Sequence, residues 1–272
     1  NSWSTTPYHY GTIGAPADTR LMLRSTRGDG GMDMYYGEFN YRHNFTDKHY
    51  LDFVVSYNKW KSDDENIYQD STSWTDGSTP TDYEWQSRPM HINNRSWEVK
   101  LDYENPISEQ LKLQAGYQGD FSHENTPQES YMDPNNWDGS QAVMDEAYYN
   151  RFIYDMDLHA LYATTTLKFG KLGIMAGLRG EYWKVNTESY TWAQENDPAL
   201  RDKPFKKDYF QLFPSVFLSY QLTDNDQFQI NYTRRLQRPW GGQLNSFRDT
   251  RDATMVSFGN PELTPAFSNS FS

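Results

Sequence analysis

The chain has 272 residues and a formal net charge of −12, and it contains no cysteine; 36% of it is hydrophobic and 17% aromatic, with 21 Tyr and 9 Trp. The acidic balance argues against a nucleic-acid partner, because phosphate binding needs a basic face, and the lack of cysteine excludes a disulfide scaffold and a thiolate zinc site. An apolar content below the roughly 45–50% of globular domains excludes a thick aliphatic core, while the abundance of aromatics excludes simple disorder.

In chain order the dominant signal is alternation, and it comes in pairs. Residues 34–43 set Tyr35, Gly37, Phe39 and Tyr41 against Tyr36, Glu38, Asn40 and Arg42. After a short turn at 44–49, Leu51, Phe53, Val55 and Tyr57 alternate with Asp52, Val54, Ser56 and Asn58, so 34–61 reads as a β-hairpin. A second hairpin spans about 97–121: Trp97, Val99, Leu101 and Tyr103 alternate with Glu98, Lys100, Asp102 and Glu104, and a turn carrying Pro106 leads to Leu111, Leu113, Ala115 and Tyr117. A third spans about 155–184 around Gly170 and Lys171, and a fourth about 209–235 around residues 223–226. Between the pairs lie long polar connections at about 62–94, 124–154, 186–208 and 236–266. No run of about 18 apolar residues occurs, which excludes a membrane helix but not a membrane barrel, whose strands need only about 9–11 residues. Nothing at Asn1 reads as a signal peptide, which a mature outer-membrane chain would also lack.

Alternation alone fits two architectures. In a soluble sandwich the charged parity, Glu38, Arg42, Asp52, Glu98, Lys100, Asp102, Lys112, Asp120, Arg179 and Glu181, faces solvent; in a barrel it faces a watery lumen while Leu, Val, Phe and Tyr face lipid. Two features favour the barrel. Short turns on one end and long loops on the other is the asymmetry of outer-membrane barrels, and Tyr41, Tyr50, Tyr103, Phe169, Tyr220 and Phe228 cluster at the turn ends as an interfacial girdle would. The fold class expected is all-β: an antiparallel transmembrane β-barrel, here an incomplete set of about 8–10 strands.

The stretch from Asn231 to Arg248, with Tyr232, Arg234, Arg235, Arg238, Pro239, Leu244, Asn245 and Phe247, is followed by Gly259, Asn260, Pro261, Leu263 and Pro265. This pattern resembles the C-terminal barrel portion of TonB-dependent receptors of the Bacteroidetes type, departing at Ser246, where the family usually has proline. Gly177–Tyr182 and Leu212–Ser215 look like landmarks of the same family, and the resemblance spans about residues 34–272. It implies a closed barrel of about 22 strands plugged by an N-terminal domain, seated in the lipid of the bacterial outer membrane and energised by an inner-membrane TonB-type complex through that plug. A surface lipoprotein lid is a further partner within that family type. On this resemblance the plug and early strands are expected to lie outside this chain, which stops inside an expected strand and as it stands cannot close into the family's barrel. The arginines of the pattern read first as rim charges pairing with loop acids and second as ligand contacts. Physically, Pro239 ends a strand, Gly241–Gly242 opens backbone angles closed to other residues, and the two Pro-containing dipeptides at 260–261 and 264–265 set a rigid turn.

No catalytic residue is expected: no nucleophile elbow, phosphate loop or zincin helix stands in a suitable context. The six histidines are scattered, and Asp133–Gly139 falls short of a calcium loop because Trp137 sits at a ligand position and Gly139 comes one place late, so neither metal nor cofactor is expected. Asp63, Asp64 and Glu65 read as a solvated loop face. The ligand-binding candidates are the aromatics and carboxylates of the long loops: Trp74, Asp76, Tyr83 and Trp85 in the first, Trp137 and Tyr148 (with Tyr149) in the second, Tyr190 and Trp192 in the third. Flat aromatic faces beside carboxylates suit a glycan, a peptide or a metal chelate, whereas loops of this composition also pack on one another. Three functions compete: a receptor importing a nutrient or chelate through a plugged lumen, a non-transporting barrel serving as scaffold, adhesin or secretion partner, and a soluble carbohydrate-binding β protein. They are separated by an upstream plug, by energy-dependent uptake and by solubility without detergent.

Overall fold

Period-two sequences become strands because successive side chains must leave opposite faces of a pleated backbone. A computed structural model of the chain describes residues 2–12, 15–74, 82–248 and 255–272. Among them twelve strands form one antiparallel sheet: β1 (Ser2–Thr12), β2 (Ala15–Thr46), β3 (His49–Trp74), β4 (Asp82–Pro106), β5 (Leu111–Gln128), β6 (Tyr131–Asp133), β7 (Val143–Met144), β8 (Asn150–Phe169), β9 (Leu172–Tyr190), β10 (Phe205–Gln221), β11 (Gln227–Gln237) and β12 (Ala266–Phe271). Spatial order follows chain order, with β6 and β7 off the main path, so that β5 pairs directly with β8. No described helix is long and apolar enough to cross a membrane.

The connections at one end are tight and locally determined. Gly170 takes φ +55° between β8 and β9, a region open to glycine. Ser108 Oγ accepts from the backbone N–H of Gln110 (3.2 Å) and Leu111 (3.1 Å), and Thr223 Oγ1 accepts from Asn225 (3.2 Å) and Asp226 (3.1 Å). These hydroxyl turns hold the ladder in register where it reverses.

Register aligns the faces. Tyr41, Phe53, Leu101, Tyr117, Leu161, Gly180 and Leu212 share one row across seven strands; one residue over, Arg42, Asp52, Asp102, Gly116, Tyr162, Arg179 and Phe213 share the next, on the opposite face. The first row belongs to an apolar face open to its surroundings: Leu161 on it is 68% exposed, and on the rows beside it Phe210 is 63% and Phe39 60% exposed. From Leu172 to Tyr182 the apolar parity of β9 rises about 34 Å along the strand, which at a tilt of about 45° covers the roughly 25 Å height of a lipid-facing band. The opposite face carries a network of hydrogen bonds and ion pairs. Arg42 pairs with Asp52 (Nε, 2.5 Å), Tyr50 and Gln114 donate to Glu104 (3.1 and 2.7 Å), Lys100 pairs with Glu98, and Arg179 bridges Gln118 (3.0 Å) and Glu181 (2.6 Å). Tyr50, expected in the girdle, belongs to this polar face, with the Arg42 guanidinium over its ring at 4.5 Å. The other expected girdle residues with large exposed rings, Tyr41, Phe169, Tyr220 and Phe228, lie on the apolar face.

The strands are longer than their hydropathy suggests. β3 and β4 continue to Trp74 and from Asp82, through most of the segment read as a 62–94 loop, so Asp63, Asp64 and Glu65 lie within a strand. β5 runs on to Gln128 and β8 begins at Asn150; β9 reaches Tyr190 and β10 begins at Phe205; and β1 with the first half of β2 occupies a region where no strand was expected. Where β3 and β4 leave the apolar layer both faces are largely polar, so the ladder of backbone bonds persists while the alternation that reveals it disappears.

Candidate functional site

Above the apolar band the alternation on β8 and β9 changes phase. Leu161 and Leu178 point outward, but Phe152, Tyr154, Leu158, Trp183 and Val185 carry their apolar groups on the polar face. They are covered by the chain that follows β11. Pro239 has no N–H to offer the ladder, and β11 stops at Gln237. The chain then makes one helical turn, α2 (Gly241–Leu244), whose Leu244 is 3% exposed within that cluster. A side chain at Gly241 would stand 3.5 Å from the Tyr154 ring. The returning chain is bonded back onto the turn: Gly259 N–H donates to the Asn245 carbonyl and Asn260 N–H to the Gln243 carbonyl, each at 2.7 Å. Gly259 is obligatory for that approach, since a Cβ there would fall 2.5 Å from the Gln243 oxygen and 2.6 Å from the Asn245 oxygen.

Arg238 fixes the base of this inserted segment. Its guanidinium pairs with Glu181, which also accepts from Arg179, and lies 5.9 Å from the Trp183 ring centre. The expected partner was a loop acid; the actual one is a wall carboxylate, because the segment folds inward over the sheet instead of outward into solvent. Arg234 sits over the Phe267 ring at 4.8 Å, and Arg235 is exposed. Pro239 is buried, and Asn245 accepts from the backbone of Phe247 (3.1 Å) and from Asn150 (3.5 Å). Pro261, after Asn260, begins the turn before β12.

Between the inserted segment and the wall lies a cavity of about 610 Å³, walled on one side by Met90, Ile92, Glu124 and Phe152, and on the other by Trp240, Gln243, Phe258 and Asn260. Glu124 is held by Asn94 (3.3 Å) and Thr126 (3.2 Å), and Asn150 accepts from Ser189 at 2.7 Å. Burial, with a smaller effect of the Glu124 charge, pushes the Tyr154 hydroxyl up to about 12, so it stays neutral at physiological pH. The lining combines amides, aromatic faces and one carboxylate, which suits a polar organic solute held by hydrogen bonds and stacking. No three described carboxylates or histidines converge to hold a metal. A second large depression, around Leu101, Leu161, Leu178 and Phe210, belongs to the outward apolar surface.

The candidate loop aromatics fall into two groups. Tyr83 meets Trp137 edge-on at 5.8 Å, and Trp85 lies directly beneath Gly139, which takes φ +70°. Gln69 clamps this group by donating to the Trp137 carbonyl at 2.8 Å. In the other group Tyr149 meets Trp192 at 5.2 Å, Tyr148 lies under Arg88 at 5.4 Å, and Tyr190 lies under Arg201 at 4.4 Å. Trp192 opens α1 (Trp192–Asn196), which the Thr191 hydroxyl caps. Trp74 ends β3 opposite Arg20, and Asp76 lies outside the described residues. The structure thus brings residues of separate connections together, and they pack on one another. The cavity residues Glu124, Asn150, Phe152 and Phe258 were not among the sequence candidates. Their signal was the phase change on β8 and β9, which announces a cover over the polar face.

A family model described as the outer membrane protein beta-barrel family matches residues 43–272. Among solved structures the chain is similar to the hemophore receptor of Serratia marcescens, solved with its hemophore and heme, at 11% identity over 93% of this chain and 41% of that one, TM-score 0.47. It is also similar to the ferric yersiniabactin uptake receptor of Yersinia pestis (11% identity, 99% and 48%, TM-score 0.44) and to the ferric-catecholate import receptor of E. coli K12 (12%, 99% and 50%, TM-score 0.43). The chain spans half or less of the length of these proteins. No curated protein matches it.

Proposed function

The chain belongs to the outer membrane β-barrel family, and from that premise we propose that it is part of the wall of a TonB-dependent receptor that imports a nutrient or chelate through a plugged lumen. The outward apolar band faces outer-membrane lipid and the polar face lines the lumen. The observation that carries the importer reading is the roofed cavity on the lumen side. An adhesin or assembly scaffold presents its recognition surface at loop tips; here a segment of the chain turns inward and builds a solute-sized, amide- and aromatic-lined space along the pore. In this reading a glycan, peptide or chelate is first met by the Tyr83–Trp85–Trp137 and Tyr148–Tyr190–Trp192 groups at the long-strand end and then passes the cavity. A plug domain, gated by the inner-membrane energising complex, completes the pathway, and a surface lipoprotein is a candidate lid.

The test is uptake by the native host. Cells carrying the wild-type full-length protein, a deletion, or an Asn150→Ala/Phe258→Ala double variant are given labelled oligosaccharide, peptide and ferric-chelate pools, with and without a protonophore. Import should occur for one pool, fall to background with the protonophore and with the deletion, and drop in the cavity variant. Equal uptake of every pool by deletion and wild type would sink the importer reading.

A further inference from the structure

We infer that the outward surface just above the apolar band on β3 and β4 binds a phosphate group of an outer-leaflet lipid, with Lys59 and Arg95 as its ligands. This inference depends on the membrane placement of the wall and not on the importer reading.

Height comes first. On β3 and β4 the outward parity is apolar up to Tyr57 and Trp97, whose ring centres are 4.5 Å apart and which mark the aromatic edge of the band. The next outward row reads Tyr35, Lys59, Arg95 and His123 in register. Lys59 and Arg95 are therefore direct cross-strand partners, one step beyond the hydrocarbon, at the level of lipid headgroups. This is the end with long strands and loops, which in outer-membrane barrels is extracellular.

Charge comes second. Like charges directly opposite on a sheet destabilise it, and among the described residues neither Lys59 nor Arg95 forms an ion pair. Lys59 is flanked by Tyr35 and Arg95 across the ladder and by Tyr57 and Lys61 along its strand; Arg95 is flanked by Lys59, His123, Trp97 and Asn93. None of these is acidic. Asp33 stands opposite Lys61, diagonal to Lys59, and Asp155 is engaged by His123 at 2.6 Å. In a chain of net charge −12, where the charges of the polar face are bonded in pairs, two adjacent cations on the outer face call for an external anion. An aromatic shelf below, a guanidinium with a planar fork and an ammonium beside it form a phosphate seat for a lipid whose acyl chains lie against the apolar rows.

The test uses the full-length protein purified from outer membranes and stripped with excess detergent. Native mass spectrometry follows retention of added diphosphorylated lipid A, of its dephosphorylated form, and of inorganic phosphate, in wild type and in Lys59→Gln, Arg95→Gln and the double variant. Both side chains point to the surroundings, so the variants should fold, and their heat-modifiable migration on gels checks it. One copy of the phosphorylated lipid should be retained, weakened roughly fivefold by each substitution and about twenty-five-fold by both. Dephosphorylated lipid should be lost. Equal retention of the two lipids, undiminished retention by the double variant, or binding of inorganic phosphate alone would each overturn the assignment.

Discussion

At the scale of single residues the inserted segment hangs on two positions of different kinds. Gly259 is a matter of space: its neighbours are backbone oxygens, which cannot swing aside as a side chain could. Gly259→Ala should break the paired bonds to Asn245 and Gln243 at a cost of about 1–3 kcal/mol and expose the segment to protease. By contrast Gly31→Ala, with nothing within 4 Å, should stay within roughly 0.5 kcal/mol. Limited proteolysis of the detergent-solubilised full-length protein checks both, and equal cleavage of the two variants would contradict this account. Glu181 is a matter of charge. Its side chain is 10% exposed and serves Arg179 and Arg238, whose own side chains are 28% and 26% exposed. Glu181→Gln leaves both guanidinium groups facing a neutral acceptor, and their partial exposure to water limits the cost to about 1–2 kcal/mol, below the value for a fully buried pair. A lower midpoint of thermal unfolding, with Arg238→Ala adding little on top of it, is the expected result; fully additive losses would mean that the two residues act separately.

At the scale of elements, the four hairpins were legible wherever one face met lipid and the other water, since Leu51, Phe53 and Val55 against Asp52 and Ser56 permit only one pairing face. Legibility ended with the membrane. From Lys59 to Gln69 β3 alternates nothing with nothing, and its pairing with β4 rests on backbone bonds that leave no trace in composition. The tail after Pro239 was legible as a pattern but not as a location, because a run of Gly, Asn and Pro specifies a turn and says nothing about which side it turns to. What does specify the side is far away in sequence: Phe152, Tyr154, Trp183 and Val185 place apolar groups on a face that is otherwise polar. The assignment of faces itself is testable. Leu161→Arg, on the exposed apolar row, should cost about 2–4 kcal/mol in lipid, whereas Asn40→Arg, on the polar row beside Glu38, should be tolerated. Urea-induced unfolding in vesicles would measure the pair, and the reverse order of effects would invert the sheet.

At the scale of the whole molecule, the sheet has two edges that lipid does not tolerate unpaired. Among the described residues β1 pairs with β2 over Ser2–Gly28, that is, only with the upper half of β2. The lower half of β2, from Tyr35 to Thr46, pairs with β3 on one side and has no strand on the other, at the depth where Phe39 and Tyr41 face hydrocarbon. β12 is likewise bonded only to β11. An unpaired peptide group in lipid costs several kcal/mol, and an edge of this length exposes several of them, far more than the stability of any domain can absorb. Both edges must therefore be paired in the membrane: by further strands of the same polypeptide, by a second copy of this one, or by each other in a small barrel. The closed-receptor reading requires the first. The denatured mass of the polypeptide taken from detergent-extracted outer membrane should then lie well above 32.0 kDa, and a cysteine placed at Phe39 should cross-link within one chain to a cysteine in a strand outside residues 1–272. A polypeptide of 32.0 kDa whose Phe39 cysteine cross-links between copies would mean that the wall closes by assembly, and a plugged single-chain receptor would be the wrong architecture for it.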